Sequence, residues 1–236
     1  MRVRPPEAAL VPVSDMSPYR PTAQPPVRSS VPVKICGLTR PEDAAAAVAL
    51  GAAYLGVIFA GGPRQVKTDQ ARAIVAVAGQ LPVFGVFGSQ GSGEILHICQ
   101  QAGLSGAQLH AGASGELVTT LRAAGLEVLA VVRLAEAADL GQLDQQRQFG
   151  CPIIIEPRIA GQLGGTGVAL SLDLARAARA RLRGHRMFLA GGLTPENVAA
   201  AVAAVGPDAV DVSSGVEQIP GIKDQQRMAD FLGALR

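Results

Sequence analysis

"VKICGLTRPEDAAAAVALGAAYLGVIFA", residues 33–60, sets the fold. It opens with a short apolar strand, "VKIC". A polar loop follows, then an alanine-rich helix, then Gly51, then a second apolar strand, "YLGVIFA". Thr39 with Glu42 three residues later reads as a capping box at the helix start. Gly51 suits the helix end, because glycine takes positive φ without a Cβ clash. The whole is one βα unit followed by the next strand.

The unit repeats along the chain at roughly the length of a βα unit, about 25–30 residues. The further strands read as "VFGVFG", "GAQLH", "EVLAVV", "PIIIE", "MFLAG" and "AVDVSS", which makes eight. The glycines before strands two to eight are Gly51, Gly79, Gly103, Gly125, Gly150, Gly184 and Gly206. Thr194 followed by Pro195 places proline at the first position of a helix. Strands this short and this apolar, without strict alternation, suit burial on both faces. The pattern predicts an α/β protein, a single (β/α)8 barrel over residues 31–236. A doubly wound open sheet is the structural alternative.

Residues 1–30 differ. Prolines cluster there and no period persists, so the stretch reads as a disordered tail. Its arginines allow a targeting reading, but the prolines oppose an amphipathic helix. The whole chain has 236 residues, 48% of them hydrophobic but only 3% aromatic, and no tryptophan. The expected core is therefore aliphatic. A net charge of +2 points neither to nucleic acid nor to an anionic membrane. No apolar run reaches the roughly 18 residues a membrane span needs. Three scattered cysteines, Cys36, Cys99 and Cys151, build neither a disulfide framework nor a zinc site, so the expectation is a cytoplasmic protein.

In a β/α barrel, chemistry sits at the C-terminal ends of the strands. Strand one ends in Cys36, and Arg64 follows strand two. Strand four ends in His110 and strand six in Glu156. Strand eight offers Asp211. Glycine clusters follow strands six, seven and eight: Gly165, Thr166 and Gly167 within "GGTG", then Gly191 and Gly192, then Ser213, Ser214 and Gly215. Such loops let backbone N–H groups approach an anion, so the three together predict a phosphate site. Cys36 is either a small buried hydrophobe or a thiol activated at a helix N-terminus. Glu156 is either a solvated strand-end charge or a proton donor. Arg64 suits a carboxylate, which it grips with two hydrogen bonds. Cys99 reads as helix packing. His97 and His185 receive no role.

These residues resemble phosphoribosylanthranilate isomerase, from about Val33 to Leu235. The resemblance is carried by "VKICGLTRPEDA", "GAQLHAG", "GGTG", "LAGGLTPENV" and "DAVDVSSGVEQIPGIKD". It implies a (β/α)8 barrel that catalyses an Amadori rearrangement in tryptophan biosynthesis, with no cofactor and no metal. It implies Cys36 as general base and Glu156, where the family usually has aspartate, as general acid. Arg64 would hold the anthranilate carboxylate, His110 and Asp211 would line the pocket, and the glycine loops would take the phosphate. The implied partner is a small phosphorylated substrate, and the implied assembly a monomer or homodimer. Two other readings stay open: a barrel that binds a phosphorylated ligand without turnover, and the histidine-pathway aminoaldose isomerase. The latter uses carboxylates for both proton transfers, so "KICG" counts against it.

Overall fold

The structure is a computed structural model, and it describes residues 30–158 and 169–236. Among the described residues, eight strands alternate with eight helices in chain order. They are β1 (Val33–Ile35), α1 (Pro41–Leu50), β2 (Tyr54–Ile58), α2 (Thr68–Ala78), β3 (Val83–Phe87), α3 (Ser92–Ala102), β4 (Gly106–Leu109) and α4 (Gly115–Ala123). The second half holds β5 (Glu127–Leu134), α5 (Gly141–Arg147), β6 (Ile153–Pro157), α6 (Leu172–Arg181), β7 (Met187–Ala190), α7 (Val198–Val205) and β8 (Ala209–Val212). A two-stranded hairpin, β9 (Glu217–Ile219) and β10 (Ile222–Lys223), precedes α8 (Gln225–Gly233). The eight strands pair in order and β8 closes on β1, all parallel. Closure removes the open-sheet alternative.

Register explains the interior. Successive strand residues face opposite sides, and the inward set is Tyr54, Phe84, Leu129, Val131, Ile154, Phe188, Ala190 and Ala209. Their neighbours in sequence, such as Leu55, Val83 and Ile155, pack outward against the helices. The outer layer is largely aliphatic, as composition predicts. The lower interior is not: Tyr54 meets Phe84 and Phe188 at 6.1 and 5.7 Å, and the Arg186 guanidinium caps the Tyr54 and Phe188 rings. Tyr54, Phe84 and Phe188 supply the bulk a closed barrel needs inside, while Phe59, Phe87, Phe149 and Phe231 belong to the outer layer. Gly106 makes room for Phe84, since a Cβ there would come within 2.6 Å of the ring.

All seven glycines that precede strands two to eight have positive φ, from 62° to 93°. Two helix starts differ from expectation. The Thr39–Glu42 capping box does not form. Thr39 Oγ1 instead donates to the Gly221 carbonyl at 2.5 Å, Arg40 takes the cap position, and Pro41 opens α1. At the other, the Thr194 carbonyl accepts from Asn197 N and Val198 N, so Pro195 lies in a turn and the regular helix begins at Val198. Ser30, the last residue assigned to the tail, donates through N and Oγ to the Leu235 carbonyl at the end of the chain, both at 2.7 Å. The tail reading for 1–29, and the "GGTG" positions Gly165, Thr166 and Gly167, lie outside the described residues. No helix among the described residues is long and apolar enough to cross a membrane.

Candidate active site

The inward register that fills the lower barrel with aromatics puts charge above them. Lys34 pairs with Asp211 across β1 and β8, and Arg133 pairs with Glu156 across β5 and β6. Parallel partners in register point the same way, so each couple meets inside the mouth.

On the β1 side, Cys36 continues the strand, its N–H donating to the Val212 carbonyl at 2.8 Å. Its side chain is buried. Below it the Lys34 ammonium donates to Gln108 Oε1 at 2.8 Å and to Asp211 Oδ1 at 3.0 Å. Burial pushes the Cys36 thiol above its ordinary value; Lys34 and Lys223 pull it down, and Asp211 adds to the rise. Removing the thiolate from water costs more than the neighbouring cations return. Cys99 and Cys151 are buried too, and burial alone pushes Cys99 up to about 12. The packing role expected of Cys99 matches its place on the inner face of α3.

Gly37 explains the turn that follows. Its φ is +73°, and a Cβ on it would come within 2.7 Å of Ser213 Oγ and 2.8 Å of Arg64 Cδ. Arg64 therefore stands beside Gly37, at the mouth. Its Nε and Nη2 edge is held by both oxygens of Glu217, at 2.7–3.1 Å, and Glu217 also accepts from Lys223 Nζ at 2.8 Å. Burial opposes the Glu217 charge, but Arg64 and Lys223 outweigh it and hold the carboxyl below its ordinary range. Nη1 of Arg64 takes no part in that grip.

Across the mouth, Arg133 Nε donates to Glu156 Oε1 at 2.8 Å and its Nη2 to the His110 carbonyl at 2.8 Å. His110 Nδ1 lies 3.6 Å from the same Glu156 oxygen. Glu156 is thus held through Oε1.

The glycine loops after β7 and β8 do come together. A Cβ on Gly215 would lie 1.8 Å from the Leu193 carbonyl oxygen, and one on Gly191 2.0 Å from Pro157 Cδ at the end of β6. Asn197 shapes the β7 loop by accepting from Thr194 N at 2.8 Å and donating to the Gly192 carbonyl at 2.9 Å. Arg227 Nε holds the Gly215 carbonyl at 3.0 Å. Ser213 Oγ is buried and has no hydrogen-bond partner among the described residues. Among those residues no group of three His, Cys, Asp or Glu side chains is placed to hold a metal ion.

The expected residues Cys36, Arg64, His110, Glu156 and Asp211 all reach the mouth. Sequence reading missed Lys34, Gln108, Arg133, Glu217 and Lys223. For three the signal was parity: Lys34 is two residues from Cys36, Gln108 two from His110, and Arg133 two from Val131. For Glu217 and Lys223 it was their place in "SSGVEQIPGIKD".

The chain matches the family model of N-(5'-phosphoribosyl)anthranilate isomerase over residues 33–234. The N-(5'-phosphoribosyl)anthranilate isomerase of Chlorobaculum parvum is 39% identical over 210 residues, which cover 86% of this chain and 94% of that protein. That of Chlorobium luteolum is 40% identical over 212 residues, covering 86% and 96%. The crystal structure of the Thermotoga maritima enzyme superposes with a TM-score of 0.79 at 32% identity, covering 87% of this chain and 98% of that one. A phosphoribosyl anthranilate isomerase in complex with reduced 1-(o-carboxyphenylamino)-1-deoxyribulose 5-phosphate superposes with a TM-score of 0.76 at 31% identity, with the same coverage.

Proposed function

The chain belongs to the N-(5'-phosphoribosyl)anthranilate isomerase family, and on that premise we propose that Cys36 is the general base and Glu156 the general acid of its reaction. The protein is an isomerase of tryptophan biosynthesis, converting N-(5-phosphoribosyl)anthranilate to 1-(2-carboxyphenylamino)-1-deoxyribulose 5-phosphate. The observation that carries the assignment of roles is the separation of a thiol on β1 from a clamped carboxyl on β6, on different sides of one closed mouth.

The steps balance without a co-reactant. Glu156 gives a proton from Oε2 to the furanose ring oxygen; the C1–O bond breaks and C1 becomes an iminium carbon. The positive nitrogen acidifies C2–H. The Cys36 thiolate takes that proton: the C2–H bond breaks, an S–H bond forms, and the electron pair closes a C1=C2 enolamine and neutralises the nitrogen. Protonation at C1 and loss of the C2 hydroxyl proton give the ketone. The thiol returns one proton, and the carboxylate recovers one, through solvent. Each transfer is worth about 10²–10⁴-fold.

Binding follows from the same groups. The outer edge of Arg64 takes the anthranilate carboxylate, with Glu217 behind it fixing the plane. His110 and Asp211 flank the sugar. The phosphate goes to Gly191, Gly192, Ser213, Ser214 and Gly215, together with Gly165, Thr166 and Gly167; the unpartnered Ser213 hydroxyl supports this. The test is Cys36→Ser in steady-state kinetics and in growth of a tryptophan auxotroph. The expected result is a kcat lower by at least about 10², with substrate-analogue affinity little changed. A near-normal kcat removes Cys36 from the mechanism, and a wild-type chain that fails to complement favours binding without turnover.

A further inference from the structure

Lys34 is a charged side chain with no exposure at all, set in the middle of the barrel. A buried ammonium costs several kcal/mol unless it is well paired, so its presence calls for a reason. Two of its three N–H groups are accounted for by Gln108 and Asp211. Gly56, on the next strand, shows where the third belongs. A Cβ on Gly56 would lie 2.8 Å from Cys36 Sγ, 2.9 Å from Lys34 Nζ and 3.2 Å from Lys34 Cε. Sulfur and nitrogen therefore border the same space, which exists because residue 56 has no side chain. Gly56 needs no special backbone angle, since its φ is not positive. Room is what it supplies.

The charges around the sulfur make Lys34 decisive. From β8, Asp211 opposes a thiolate. From β10, Lys223 favours one but is itself paired with Glu217 at 2.8 Å. Arg64, beside Gly37, is held by the same Glu217. Glu156, His110 and Arg133 belong to the other side of the mouth. Burial works against the Lys34 ammonium as well, yet Asp211 and Cys36 outweigh it and hold Lys34 above its ordinary value. The ammonium thus persists where a thiolate has to form.

We propose that Lys34 is a positioning residue for the base: fixed by Gln108 and Asp211, it supplies the counter-charge against which the Cys36 thiolate forms, and residue 56 is glycine so that the two can approach. The proposal rests on the assignment of Cys36 as general base. Ionisation sends the thiol proton to solvent and leaves the ammonium intact, so nothing else is consumed.

The test is the ultraviolet absorbance of the Cys36 thiolate against pH in the full chain, taken as the difference from Cys36→Ser. Lys34→Met should move the midpoint up by at least about one pH unit, so that about 10-fold less thiolate is present at a given lower pH. Its kcat should fall with KM little changed. Lys34→Arg should restore part of the shift. Gly56→Ala, which keeps every charge, should move the midpoint the same way by wedging sulfur and nitrogen apart; it decides the question if circular dichroism shows that Lys34→Met does not fold. An unchanged midpoint in a folded Lys34→Met or Gly56→Ala chain overturns the proposal and leaves the base assignment standing. Full activity in Cys36→Ser overturns that assignment separately.

Discussion

Shortening Glu156 to aspartate tests whether this barrel is built around the longer acid. The resemblance implies an aspartate acid in most of the family, so Glu156→Asp would restore the usual residue. The local geometry nevertheless argues for a loss. Glu156 Oε1 sits 2.8 Å from Arg133 Nε, and Arg133 is itself tied to the His110 carbonyl at 2.8 Å. Both contacts have ordinary hydrogen-bond lengths, so the clamp is set for a glutamate. Removing one methylene retracts the carboxyl by about 1.5 Å. The Arg133 contact then opens to roughly 4 Å, beyond hydrogen bonding. The donor oxygen is withdrawn from the ring oxygen by a similar amount. A misplacement of about 1 Å can cost about 10²-fold in rate, so kcat for Glu156→Asp should fall by about that factor. Glu156→Gln should fall further, because an amide keeps the shape without a proton to give. Steady-state kinetics at neutral pH measures both. An aspartate variant as fast as wild type, or faster, refutes the claim that the site is adjusted to glutamate. A glutamine variant with wild-type kcat refutes the acid assignment, with Asp211 the next candidate.

Two further outcomes follow from the loops. Glu217→Gln leaves Arg64 and Lys223 without their shared anion and should destabilise the fold by about 3–5 kcal/mol, as for other broken buried pairs. The Glu217 carboxyl is held below its ordinary 4.5, so its contribution is complete above about pH 4.5 and is lost as pH falls through the lower folded value. Urea midpoints from neutral to acid pH should therefore fall less steeply in Glu217→Gln, and parallel curves would contradict the pairing. Asn197→Ala releases both ends of the β7 loop, so KM for the phosphorylated substrate should rise severalfold with kcat little changed, and an unaltered KM would place the phosphate elsewhere.

Local features of the chain determined a good deal by themselves. Strand–helix units, their number, the glycines between them and the residues at strand ends depend on periodicity and turn chemistry over a few residues, and these were legible. Cys36, Arg64, His110, Glu156 and Asp211 all lie at the mouth for that reason. Parity also carries Lys34 and Arg133: Lys34 stands two residues before Cys36 and Arg133 two after Val131, so each shares an inward face. Tertiary structure decided what depends on closure. The β1–β8 pairing sets Lys34 beside Asp211, 177 residues away. The hairpin before α8 brings Glu217 onto Arg64, 153 residues away. Thr39, which its neighbours mark as a helix cap, instead spends its hydroxyl on Gly221, 182 residues away. A hydroxyl or a carboxylate goes to whichever partner relieves the larger desolvation, and only the closed barrel brings the distant partners within reach.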